Sequence, residues 1–157
     1  MTCGRFSRPR LNGEAVGAKS GKRGKRPAAP ADGVGVPTEP RNHNAESPKF
    51  CLKHLVNDFD VKALDQERVK AFAETLQRLC ALTWNDLGQA PRKGLGYEQI
   101  PKHSIKPSIP QAFEDSDKFM VFRYCGQLPM AGVRVRDVFH VVWIEPEFNK
   151  LYDHGSS

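Results

Sequence analysis

Three apolar runs stand one after another between Lys118 and Pro146, KFMVFRYCGQLPMAGVRVRDVFHVVWIEP, and they constrain the fold of this chain most. The runs are rich in Val, Phe and other side chains that suit a pleated sheet. Turn signals separate them, Gly126-Gln-Leu-Pro129 and Arg136-Asp137. The segment therefore predicts three consecutive antiparallel strands. If both hairpins close tightly, residue parity sorts their faces. One face collects Met120, Phe122, Tyr124, Ala131, Val133 and His140, and is expected to meet the helices; the other collects Arg123, Arg134, Arg136, Phe139 and Trp143.

Upstream, Val69, Phe72, Leu76 and Leu79 recur at helical spacing behind Asp65, a good N-cap, which predicts a helix over about 65–81. Thr83 opens a second, short helix, TWNDLGQA, that Gly88 and Pro91 end. Residues 91–110 hold four prolines and two glycines, which excludes long regular structure there apart from a brief extended piece near 104–109. Phe50–Phe59 reads as a short strand or an extended lead-in. The fold class expected is α+β, one or two helices packed on a C-terminal antiparallel meander.

Residues 1–49 contain almost no large apolar side chains, too few to offset a chain entropy of roughly 1–2 kcal/mol per residue. They are expected to form a disordered basic arm, with the domain spanning 50–154 and a short tail at 155–157. The arm holds ten Lys and Arg against four acidic residues, so the whole net charge of +6 sits there, and from Phe50 onward the charges balance. Its Lys19, Lys22, Arg23, Lys25 and Arg26 would bind phosphate without sequence preference.

Cys3, Cys51, Cys80 and Cys125 show no paired metal spacing, and Cys51-x-x-His54 lacks a second half. The expectation is free thiols in a reducing cytoplasm, with no metal or cofactor. No apolar run is long enough to cross a membrane.

The candidate chemistry is phosphate chemistry. Arg123, Arg134 and Arg136 beside Trp143 suit RNA, because guanidinium groups grip phosphates and aromatic rings stack on unpaired bases. The plain alternative is a solvated strand face whose arginines pair with Asp137 or Glu145. His140 would serve as acid or base near neutral pH, yet tight-hairpin parity buries it; a one-residue bulge would bring it to the arginine face. Glu98, Lys102 and His103 lie in a loop able to reach a sheet edge, and Tyr152 follows near the C-terminus.

The stretch from Arg123 to Gly155 resembles the C-terminal half of a group of short bacterial proteins. They share a Gly-x-x-Pro-Met turn, then Gly-x-Arg, Asp-Val-Phe-His and a final Leu-Tyr-Asp-His. Here these are Gly126, Pro129, Met130, Gly132, Arg134, Asp137 to His140 and Leu151 to His154. The likeness reaches back through TWNDL and GLGYE and implies a shared domain. In architecture, a helix followed by a meander with arginines on its strands is similar to the RelE/HigB-type toxins. That resemblance implies a metal-independent endoribonuclease acting on ribosome-bound messenger RNA and held inactive by an antitoxin protein. Arg123, Arg134, His140, Glu98, His103 and Tyr152 would then be its catalytic candidates, and Arg136, Trp143 and Lys102 its RNA contacts. The competing expectation is a non-catalytic module of mobile-element origin that binds nucleic acid or protein.

Overall fold

In the computed structural model, residues 40–155 are described. They form a five-stranded mixed sheet in the order β1-β5-β4-β3-β2. The meander supplies β3 (Lys118–Cys125), β4 (Leu128–Val135) and β5 (Val138–Ile144). A short β2 (Glu98–Pro101) adds antiparallel to β3, and β1 (Lys49–Cys51) adds parallel to β5. The antiparallel meander is thus extended by a strand at each edge, one of them parallel. The brief extended piece falls at 98–101 rather than 104–109. Structure also begins before Phe50, with a 3-10 turn at His43–Ala45 and with Lys49 in β1. Residues 1–39 of the expected arm lie outside the described residues.

Helix α1 (Gln66–Cys80) starts where expected. The Asp65 carboxylate accepts from the Arg68 amide at 2.8 Å, and Glu67 stands in the positive first turn. Its Phe72, Thr75 and Leu79 are buried against the sheet, Phe72 edge-on to Tyr124. Helix α2 (Trp84–Gln89) opens on a reciprocal capping box between Thr83 and Asp86 and buries Trp84 and Leu87. Both helices cover one face of the sheet, where Met120, Phe122, Tyr124, Met130, Phe139, Val141 and Ile144 form the core. Among the described residues, no helix is long and apolar enough to cross a membrane.

The other face is a second core, not a solvated surface. Phe119, Val121, Ala131, Val142 and Trp143 are covered by Val56, Phe59, Ile105, Ile109, Phe113, Leu151 and Tyr152 from the connecting segments. Trp143 is fully buried, with Phe119 edge-on at 4.9 Å between ring centres.

Two bulges decide which side chain faces which core. Cys125 pairs with Leu128 but Arg123 with Pro129, so Tyr124 is the extra residue in β3. Its carbonyl accepts from the buried Thr75 hydroxyl at 3.0 Å. Ala131 pairs with Trp143 but Gly132 with Val141, so Val142 is the extra residue in β5, and its carbonyl accepts from the Val56 amide at 3.0 Å. Each bulge leaves a ladder carbonyl free, and each is satisfied by an element packed against the sheet. The first bulge inverts the expected faces of β4 and the start of β5. Arg134 and Phe139 turn toward the helices, while Ala131, Val133 and His140 turn to the opposite face, with Arg123.

Candidate functional site

The inversion separates the arginines. Arg134 is enclosed on the helix side, with its guanidinium over the Trp84 ring at 4.1 Å. Its Nε donates to the Arg136 carbonyl at 2.7 Å, and its Nη2 to Asn44 Oδ1 at 2.6 Å and to the His43 carbonyl at 3.4 Å. Partial burial lowers its pKa from the ordinary value. With Nε and Nη2 bonded to the protein and the guanidinium stacked on Trp84, Arg134 serves as a structural clamp. Arg136 is exposed in the β4–β5 turn at φ +59°. Trp143, buried throughout, has no face for a base to stack on.

Arg123 has a different setting. It lies near the end of β3, on the face where β2 presents Glu98. Glu98 Oε1 accepts from the Tyr152 hydroxyl at 3.2 Å and stands 3.9 Å from Arg123 Nη2, and its Oε2 stands 3.4 Å from Arg92 Nη1. Three expected residues, Glu98, Arg123 and Tyr152, therefore meet although they are far apart in the chain. Strand pairing brings Glu98 beside β3. The closing segment brings Tyr152, because buried Leu151 donates its amide to Glu145 Oε1 at 2.7 Å. Burial, and then the Glu98 charge, raise the Tyr152 pKa, so its phenol remains a proton-bearing donor.

Arg123 also lines a recess with Arg78 of α1, Lys93 and Gly126. Cations from a helix, a loop and a strand thus border one opening, an arrangement that attracts an anion, and Glu98 is linked to it through Arg123. Arg92, Lys93 and Arg78 were not singled out in the sequence. The run Pro91-Arg-Lys, shortly before Glu98, was the available signal.

His140 shares the Arg123 face but not its site. It pairs with Val133, level with the Lys118 end of β3, whereas Arg123 is near the other end and two strands away. Its ring packs with His54 at 5.9 Å and Phe113 at 5.7 Å, and its Nδ1 is buried without a hydrogen-bond partner. Burial, and next His54, lower its pKa below the ordinary 6.5. The unfolded chain therefore binds the proton more readily, and stability is lost as pH falls from about 6.5 toward the lowered folded value. Unfolding midpoints measured at pH 7.5, 6 and 5 should fall less steeply for His140→Leu than for the parent. Equal slopes would assign the pH dependence to other groups.

His103 and Lys102 are exposed in a 3-10 turn after β2, and the Lys102 ammonium donates to the Glu114 carbonyl. Neither is bonded into the Glu98 cluster. The closing Leu-Tyr-Asp-His does four separate things. Leu151 fills the second core, Tyr152 reaches Glu98, Asp153 pairs with Lys106, and His154 Nε2 meets buried Glu145 Oε2 at 2.9 Å. The His154 ring is stacked on Phe148 at 4.3 Å and lies against Tyr152. It holds the segment that delivers the phenol.

Cys51, Cys80 and Cys125 are free thiols. Cys51 and His54 gather no third ligand; among the described residues the group of potential metal ligands is His43, Glu46 and Asp137. Comparison of the chain with protein-family models, curated proteins and solved structures returns no match.

Proposed function

We propose that the chain is a metal-independent endoribonuclease, similar in action to the RelE/HigB-type toxins, with its site at the Glu98–Arg123–Tyr152 cluster rather than across all the strand arginines. The observation that carries this reading is the Glu98 carboxylate, shared between the Tyr152 hydroxyl and two guanidinium groups beside a cationic recess. A phosphodiester entering the recess competes with Glu98 for Arg123 and Arg92. Their release frees the carboxylate to take the proton of a ribose 2′-hydroxyl. The 2′-oxygen attacks phosphorus, Arg123 balances the charge that develops on the phosphoryl oxygens, and the 5′-oxygen departs, taking a proton from water at the open edge. The products are a 2′,3′-cyclic phosphate and a 5′-hydroxyl. Tyr152 positions the base.

In this reading the substrate is RNA in the cytoplasm, including messenger RNA on the ribosome, and an antitoxin protein covers the site. The test is incubation of the full chain with mixed-sequence single-stranded RNA, with and without EDTA, and separately with ribosomes in Mg2+, with analysis of the product ends and of growth on induced expression. Cyclic-phosphate ends dependent on Glu98 support the proposal. No cleavage in either format and no growth defect would sink it. RNA binding without cleavage, unchanged by Glu98→Gln, would instead favour a non-catalytic nucleic-acid module.

A further inference from the structure

A second cluster lies at the β1–β5 end of the sheet. The 3-10 turn at His43–Ala45 carries His43, and its C-cap is Glu46. Side chains three apart on such a turn stand on one side, so His43 and Glu46 face together toward Asp137 of the β4–β5 turn. His43 Nδ1 is 3.9 Å from Glu46 Oε2 and 3.7 Å from Asp137 Oδ1. Those gaps are too long for hydrogen bonds, yet Nδ1 is sealed from solvent and has no partner.

The remaining oxygens are otherwise engaged. Arg41 Nε stands 3.5 Å from Glu46 Oε1, and the Lys49 ammonium is bonded to Asp137 Oδ2. Each carboxylate therefore turns one oxygen to a cation and the other toward the orphaned imidazole nitrogen. The backbone behind the ligands is fixed too. The Asp137 carbonyl accepts from the Trp84 indole at 3.2 Å and from the Lys49 amide at 2.9 Å, and Arg134 holds the His43 carbonyl and Asn44. Such outer contacts are what orient ligands at a metal centre.

We propose that His43, Glu46 and Asp137 bind a divalent transition-metal ion of the zinc class, which fastens the His43 turn and β1 to the β4–β5 turn. A tetrahedral ion with bonds of roughly 2.0–2.1 Å places its donor atoms about 3.3 Å apart, a contraction of about half an ångström from the separations observed. One imidazole with two carboxylates suits zinc better than magnesium, which prefers oxygen alone. The fourth position takes water.

The test is calorimetric titration of the full chain with Zn2+ near pH 7.5, together with the absorption spectrum of the Co2+ form. One equivalent should bind, without a thiolate charge-transfer band, and chelation should lower the unfolding temperature. His43→Ala and Glu46→Gln should each weaken binding by more than the roughly 10- to 100-fold that loss of an outer contact costs, while His103→Ala leaves it unchanged. Absence of saturable binding, binding indifferent to His43→Ala and Glu46→Gln, or a cobalt–thiolate band placing the ion on cysteine would each overturn the proposal. Glu98→Gln should leave the titration unaltered, which keeps this site separate from the nuclease reading.

Discussion

Gly132→Ala is expected to remove most of the stability of this domain. A β-carbon at that position would lie 1.9 Å from the His140 carbonyl oxygen, 2.9 Å from its carbonyl carbon and 3.1 Å from Val141 Cα. All three are backbone atoms of the neighbouring strand, so no side chain can rotate aside. The close approach is produced by the bulge at Val142, which presses β5 onto β4 where both faces are already packed. Ordinary overpacking costs about 1–3 kcal/mol, and forcing two buried strands apart should exceed that range. Gly126→Ala is the control. Gly126 has φ +57° but nothing within 4 Å of an added β-carbon, so only a left-handed backbone cost of about 1–2 kcal/mol applies. Denaturant midpoints for the two variants check the ranking. A Gly132→Ala protein as stable as Gly126→Ala would mean that β5 does not press on Gly132 at His140 and Val141.

The second large effect is expected in the proposed RNA cleavage. Glu98→Gln keeps the shape of the side chain and its contact with Tyr152 but removes the base. General acid–base catalysis contributes typically 10²–10⁴-fold, and the cleavage rate should fall within that range. Arg123→Ala should lower the rate by about 10²–10³-fold, as loss of a donor aimed at developing charge does. Both residues lie at a partly open edge, so unfolding temperatures should change little. Arg134→Ala should behave in the opposite way. It loses the stacking on Trp84 and the hold on His43 and Asn44, and its cost should register in stability. Initial rates measured beside melting curves separate the two arginines. A Glu98→Gln protein that cleaves RNA at the wild-type rate would remove Glu98 from the proposed mechanism.

The contrast between those arginines shows where the sequence was readable. Asp65 and Thr83 announced both helices because capping is local chemistry, settled within a few residues of each helix start. The strands of the meander were readable for the same reason. The faces were not, because Tyr124 and Val142 each insert one residue, and a single insertion exchanges every side chain beyond it. Alternation of polar and apolar residues normally exposes such a slip. Here both faces are buried, Phe119, Val121 and Trp143 on one and Met120, Phe122 and Phe139 on the other, so the pattern carried no parity signal. The edge strands are only half legible: Phe50 reads as a short strand or lead-in, but neither its parallel pairing with β5 nor the place of β2 follows from local pattern, because both depend on partners distant in the chain. The site was half visible. Glu98, Arg123 and Tyr152 drew attention by residue type, but their meeting depends on the fold-back of Leu151 onto Glu145, which no local pattern encodes.

The parallel pairing of β1 has a kinetic consequence. Lys49 meets Asp137 across 88 residues, and closing a loop of that length costs about 4 kcal/mol by the usual logarithmic law. A three-residue strand recovers little of this by itself, so β1 is expected to dock after the meander has assembled and to lift away before β3 and β4. The Lys49 amide, bonded to the Asp137 carbonyl at 2.9 Å, should exchange with solvent deuterium well before the amides of β3 and β4. Each opening uncovers the outer edge of β5 as a template for another strand, so whatever ties the His43 turn to Asp137 also sets how often this chain is available to pair with its neighbours.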